Sequence, residues 1–217
     1  MNNRNRDDRV NSRWVGIDGC PAGWFYVGID DAGGFAFGVL PRIADIGSVL
    51  AEAEMSLLDM PIVLPSRTAP TRECERLARK VLGARRSSVF SVPARSVLAM
   101  PGYGEACAEN RRVMGVGISR QSWNIVPKIR EVDEYLRANR DKRIHEMHPE
   151  VAFWALNGKV PMRHSKKKPE GLGERLAVLE RHYPGSAECF ERARTAFLKK
   201  EVASDDIVDA MVGAVTA

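Results

Sequence analysis

Apolar positions in the first part of the chain come in short runs cut by turn residues. Residues 13–18 (RWVGID), 24–29 (WFYVGI) and 35–39 (FAFGV) are rich in aromatic and β-branched side chains, which is the composition of strands. The spacers GCPAG and DDAGG consist of turn formers and are short enough to predict an antiparallel meander. Pro41 then opens a helical pattern in which Ile43, Ile46, Val49 and Leu50 recur through about residue 54. Residues 56–60 (SLLDM) are a short apolar run stopped by Pro61. This run predicts a fourth strand, parallel to the first through a right-handed crossover.

The apolar spacing then turns helical. Leu77, Ala78, Val81 and Leu82 share one side of a helix over 72–82, and Pro93 and Ala94 open a second, short one. Ile125, Ile129, Val132 and Leu136 lie on one face over 119–139, with Pro127 placed near the start of that helix because proline lacks the N–H an interior position needs. Residues 143–148 (RIHEMH) read as a fifth strand ended by Pro149. Helices are expected over 151–156, 169–183, 187–200 and 204–217, the last with Ser204 as its N-cap. No internal repeat or linker interrupts the pattern, so the expectation is one α/β domain over 13–217 with a mixed five-stranded sheet covered on both faces. Residues 1–12 are polar, mixed in charge and expected to form a disordered tail.

Against this apolar background the informative residues are acids. Asp18 closes the first strand (VGIDG), Asp59 lies near the end of the fourth (LLDMP), and Glu146 lies in the fifth with Glu150 just beyond it. Asp205, Asp206 and Asp209 fall in the first turns of the last helix (SDDIVDA). A strand buried on both faces has no packing use for a carboxylate, and an unpaired one is costly there. If the first and fourth strands are parallel neighbours, Asp18 and Asp59 reach the same edge of the sheet. Like charges held together repel, and a divalent cation relieves the repulsion. Oxygen donors without His or Cys select Mg²⁺ or Mn²⁺ over zinc. Asp206 and Asp209, three residues apart on one helix, share a face. Simpler readings exist for some of these residues: Asp205 suits the positive end of a helix dipole, Asp59 before proline suits a turn, and Glu150 suits a helix start. His145 and His148 flank Glu146, but in a strand adjacent residues face opposite ways.

Composition narrows the classes. The chain has 217 residues, 44% hydrophobic and 28% charged, the balance of an ordinary soluble domain. No apolar run approaches a membrane span, and the N-terminus has no secretory pattern. The cysteines Cys20, Cys74, Cys107 and Cys189 form no CxxC pair, which argues against zinc and a disulfide scaffold and suits the cytoplasm. A net charge of +5 permits nucleic-acid contact without requiring it. The basic clusters are Arg85 with Arg86, Arg111 with Arg112, and Lys166 with Lys167 and Lys168, and for any one of them a solvated face is the simpler reading.

The segments GIDGCPAGW, LLDMPIVLP, ARRSSVFSVPAR, HEMHPEVAFWALNG, SKKKPEGLGERLAVLE and SDDIVDAMVGAVTA, in this order, resemble a family described only as a domain of unknown function (DUF429) and regarded as predicted RNase H-like nucleases. The resemblance implies an RNase H-like fold with strand–helix order β-β-β-α-β-α-β-α. It implies Asp18 as the first-strand acid, Asp59 as the fourth-strand acid, and Asp206 with Asp209 as the pair on the last helix; Glu146 has no clear counterpart. The implied chemistry is two-metal phosphodiester hydrolysis, with Arg85, Arg86, Lys166 or Lys167 holding the phosphate. Two other classes compete with it: a non-catalytic nucleic-acid-binding protein on the same fold, and a phosphotransferase in which the GIDGC turn embraces phosphate. The second normally needs two such domains, more than 217 residues hold.

Overall fold

The computed structural model describes residues 11–217. Of the segment expected as a tail, residues 1–10 lie outside the described part, whereas Ser12 is buried. The described chain groups into two compact units, one formed by residues up to 59 together with 141–217, the other by 60–140.

The first unit is built on a five-stranded sheet: β1 (Trp14–Cys20), β2 (Gly23–Ile29), β3 (Phe35–Leu40), β4 (Met55–Leu58) and β5 (Ile144–Glu146), in the order β3-β2-β1-β4-β5. The expected meander is present, with β1–β2 and β2–β3 antiparallel. The first turn is tighter than the sequence suggested. Cys20 pairs directly with Gly23, leaving only Pro21 and Ala22 in the loop. Gly23 adopts φ 135° there, in the left-handed half of the map that favours glycine. β4 lies parallel to β1 and β5 parallel to β4, so Asp18 of β1 and Asp59, just past β4, approach one end of the sheet.

One face of the sheet carries four helices, α4 (Pro149–Leu156), α5 (Pro169–His182), α6 (Ser186–Ala196) and α7 (Ser204–Thr216). Phe25, Val27 and Leu57 from the sheet pack there with Phe153, Leu179, Phe190, Val208 and Met211. Val15, Ile17, Trp24 and Leu58 are fully buried outside this cluster. The helix expected from Pro41 is instead a short 3-10 segment, Ile43–Ser48, which still buries Ile43 and Ile46. Gly47 and Ser48 are poor helix formers and stop it early. The last helix also differs at its start. Ala203 is its N-cap residue and Ser204 its first helical residue, and the Ala203 N–H is taken by Asp206 Oδ2 at 2.8 Å.

The second unit contains three α-helices. These are α1 (Glu73–Leu82), α2 (Tyr103–Met114) and α3 (Arg120–Asn139), with 3-10 segments Gly83–Ser88 and Arg95–Ala99. The short helix expected after Pro93 is the second of those 3-10 segments. Pro127 lies inside α3 instead of near its start. Ser119 explains the earlier beginning, because its hydroxyl accepts from the Ser122 N–H at 3.0 Å and caps the helix. No helix among the described residues is long and apolar enough to cross a membrane, and the cysteines form no disulfide among them.

Candidate metal centre

The site begins with a pair of glycines. Gly16 of β1 faces α7 so closely that a Cβ there would run into the backbone of Ala210 and Ala214 and come within 2.8 Å of Gly213 C. Gly213 leaves equally little room, since a Cβ on it would lie 2.9 Å from Gly16 Cα. The helix therefore rests directly on the strand. Asp209, just before the contact on the helix, is brought to Asp18, two residues beyond Gly16 on the strand. β4 adds the third acid. The Asp59 N–H donates to Ile17 O at 2.9 Å, continuing the parallel ladder one residue past Leu58 and setting Asp59 beside Asp18.

Asp18, Asp59 and Asp209 each offer a carboxylate oxygen, and these atoms all lie within 4.8 Å of one another. Asp209 is fully buried and Asp18 8% exposed; Asp59 is half-buried. The Gly19 N–H donates to Asp18 Oδ1 at 2.6 Å. Lys166 donates from Nζ to Asp209 Oδ2, and the ammonium is 4.0 Å from Asp205. Asp209 Oδ1 is buried without a hydrogen-bond partner. Such an atom is expensive to leave unsatisfied, and a bound cation would satisfy it. Three hard oxygen donors with one unpaired buried oxygen are a donor set that can hold a metal ion.

The electrostatics follow from the same packing. Burial, then the charges of Asp59 and Asp209, push the Asp18 carboxyl well above the ordinary value, against the pull of Lys166. Burial raises Asp59 to about 6, with Lys166 lowering it and Glu146 and Asp206 raising it. Burial raises Asp209 to about 7, again with Lys166 opposing and Asp59 adding to the rise. For Lys166 burial acts to lower the pKa, and the Asp209 and Asp18 carboxylates overcome it and raise the pKa above the usual lysine range.

A group whose folded pKa is raised binds its proton more tightly in the folded state. Its contribution is complete below the unfolded value of 3.8 and is lost as pH rises through about 6 for Asp59 and about 7 for Asp209. In EDTA the melting temperature is therefore expected to fall between about pH 4 and about pH 7. The fall should be shallower in Asp209→Asn. Calorimetric melts across that range check this; equal slopes in the two proteins would contradict it.

Lys166 is held from behind by α5. The Arg163 and His164 N–H groups donate to Glu174 Oε1 and Oε2 at 2.8 and 3.0 Å. Arg175 donates to His164 O at 3.1 Å and to Gly171 O at 2.8 Å, and pairs with Glu150 of α4. Arg175 and Glu150 have side chains 0% and 6% exposed. Gly171 lets Ser165 lie against the helix, since a Cβ there would clash with the Ser165 carbonyl and come within 3.1 Å of His164 C. Sequence reasoning missed Arg175. Its signal was a lone arginine on the buried stripe of Gly171, Val178 and Leu179. Glu150, read as a simple helix-start acid, is its partner.

The remaining candidates fall as follows. Asp206 sits at the rim, where it caps α7 through Ala203 and raises the pKa values of Asp18 and Asp59 by its charge; it is not among the three clustered acids. Glu146 is exposed on β5 opposite Leu58 and reaches the site through the charge felt by Asp59. Lys167 is exposed on the same loop as Lys166. Arg85 and Arg86 lie in the second unit, on the segment Gly83–Ser88, half-buried and exposed respectively.

Fold and site together define an α/β protein with an open mixed sheet and a buried carboxylate cluster at the ends of its parallel strands. Residues 16–217 match the model of the family described as "Protein of unknown function (DUF429)", and the chain belongs to that family. No curated protein and no solved structure matches it.

Proposed function

We propose that this protein is a divalent-metal-dependent nuclease with an RNase H-like fold, hydrolysing phosphodiester bonds with Mg²⁺ or Mn²⁺. The observation that carries the reading is the convergence of Asp18, Asp59 and Asp209 on a buried point where Asp209 Oδ1 has no partner. Element order supports the fold assignment: a three-stranded meander, a fourth and a fifth strand added in parallel, and a final helix bringing acids to the first strand. When bound, the cation would supply Lewis-acid activation of water and of the phosphate oxygens.

The chain's own residues supply the rest. Asp18 and Asp59 present oxygens from adjacent strand ends, and Asp209 presents one from the helix above them. The Gly19 N–H holds the Asp18 carboxylate in orientation through Oδ1. Lys166 keeps Asp209 in place, and Lys167 and Lys168, exposed beside it, are suited to contact the phosphates on either side of the cut bond. Arg85 and Arg86 are proposed as further backbone contacts. The cysteines, free of disulfides among the described residues, accord with a cytoplasmic setting.

The test is incubation of the full chain with labelled single-stranded, duplex and branched DNA and RNA in Mn²⁺, in Mg²⁺ and in EDTA. Cleavage that appears with either ion and vanishes in EDTA is the expected result. Failure to cut every substrate would sink the nuclease reading. Salt-dependent binding without cleavage would then select the non-catalytic nucleic-acid-binding alternative.

A further inference from the structure

We propose that Lys166 is a built-in cation of the acidic site, occupying the role of a second divalent ion, so that the site takes one divalent cation and not the two that its resemblance implies. The inference rests on the metal-site reading above and sharpens it.

Three observations carry it. The first is how the two oxygens of Asp209 are divided. Oδ2 is taken by the Lys166 ammonium and Oδ1 is left unpaired in a fully buried residue. One carboxylate thus offers one oxygen to an internal cation and one to an external ion.

The second is charge. Ionised, Asp18, Asp59 and Asp209 carry three negative charges; the ammonium cancels one, and the remaining two equal the charge of a single divalent ion. Two divalent ions beside an undisplaced lysine would put five positive charges against three negative ones in a buried place, where unbalanced charge is costly. The outer acids add negative charge around the cluster, Asp206 and Glu146 acting on Asp59 from a distance, but none of them is among the three gathered carboxylates. Asp206 is committed to the Ala203 N–H, Glu146 is exposed, and Asp205 stands 4.0 Å from the same ammonium.

The third is placement. Lysines on surface loops usually sweep freely, but the backbone leading into Lys166 is tied to α5. Glu174 accepts the Arg163 and His164 N–H groups, Arg175 takes the His164 carbonyl, and Gly171 packs against Ser165. The Lys166 side chain is 31% exposed. A fully buried arginine bound to Glu150 is a costly anchor for a loop whose only duty is solvation. It is well spent on holding an ammonium over a carboxylate cluster.

The test counts bound Mn²⁺ by electron paramagnetic resonance, titrating the ion into the full chain near neutral pH and reading the free-ion signal. The wild type is expected to bind one ion at this site. Lys166→Met, which keeps the length of the side chain and removes its charge, is expected to bind two, and spin–spin broadening should mark the second as a near neighbour of the first. Lys166→Arg, which restores a cation, is expected to return to one. Two ions in the wild type, or one in both wild type and Lys166→Met, would overturn the inference. If Lys166→Met fails to fold, the wild-type count still decides it. Binding of no ion by any of the three proteins would remove the metal-site reading itself, and this inference with it.

Discussion

In Asp18→Asn, Mn²⁺-dependent cleavage is expected to fall by about a thousandfold, equivalent to about 4 kcal/mol of transition-state stabilisation, while the metal-free protein becomes more stable near neutral pH. Both effects have one origin. Asp18 is buried, faces Asp59 and Asp209, and is held well above its ordinary pKa by burial and by those charges. An amide in its place removes the repulsion and keeps the oxygen that accepts from Gly19 N. Folding therefore gains and ion binding loses, the trade-off expected where a site stores unfavourable electrostatics for function. Cleavage rates together with melts in EDTA check the pair of effects. A variant that is destabilised and inactive would point to a structural carboxylate; one that cuts normally would exclude Asp18 from the site.

The second large effect is on stability. Gly16→Val is expected to cost about 3 kcal/mol or more and to lower the melting temperature by about 10 °C. A side chain at this position meets backbone, namely Ala210, Gly213 and Ala214. Backbone cannot rotate aside as a flexible side chain can, so α7 must lift from β1. The lift would also separate Asp209 from Asp18, so metal affinity should fall along with stability. Gly173→Ala is the control, because a Cβ there meets nothing within 4 Å. In mid-helix α5 it should be neutral or stabilising by about 0.5–1 kcal/mol. Denaturant melts of the two variants distinguish the accounts; similar losses from both would mean that the close approach of strand and helix has no special weight.

The fold was legible in the sequence where hydrophobicity alone decides structure. The meander announced itself because its runs are short, apolar and separated by obligate turn residues, and α7 because SDDIVDAMVGAVTA beyond its first turn is apolar except at Asp209 and Thr216. α2 went unread: it buries only Ala106, Cys107 and Asn110, too thin a stripe to stand out from its charged neighbours. Pro127 misled because proline is a boundary signal, and here a serine cap eight residues earlier had already set the start of the helix. The 3-10 segment Ile43–Ser48 buries two of the four residues whose spacing suggested an α-helix; burial period and hydrogen-bond pattern are different properties.

The site was legible in the same uneven way. Asp18, Asp59 and Asp209 could be found because a carboxylate in an apolar run is conspicuous. Asp206, read as Asp209's pair from their shared face and from the resemblance, caps α7. The tie from Lys166 to Asp209 spans 43 positions, and a lysine in a basic loop carries no mark of its partner. The division of the described chain at residues 60 and 140 was equally silent, since no linker composition accompanies either boundary.

The central claim is that Asp18, Asp59 and Asp209 together form a metal centre. Anomalous scattering from crystals of the full chain soaked in Mn²⁺ tests it most directly. The account predicts a single strong peak within bonding distance of all three carboxylates, with Lys166 still on Asp209. A peak held by other residues, or none at this point while the three carboxylates stay together, would contradict it.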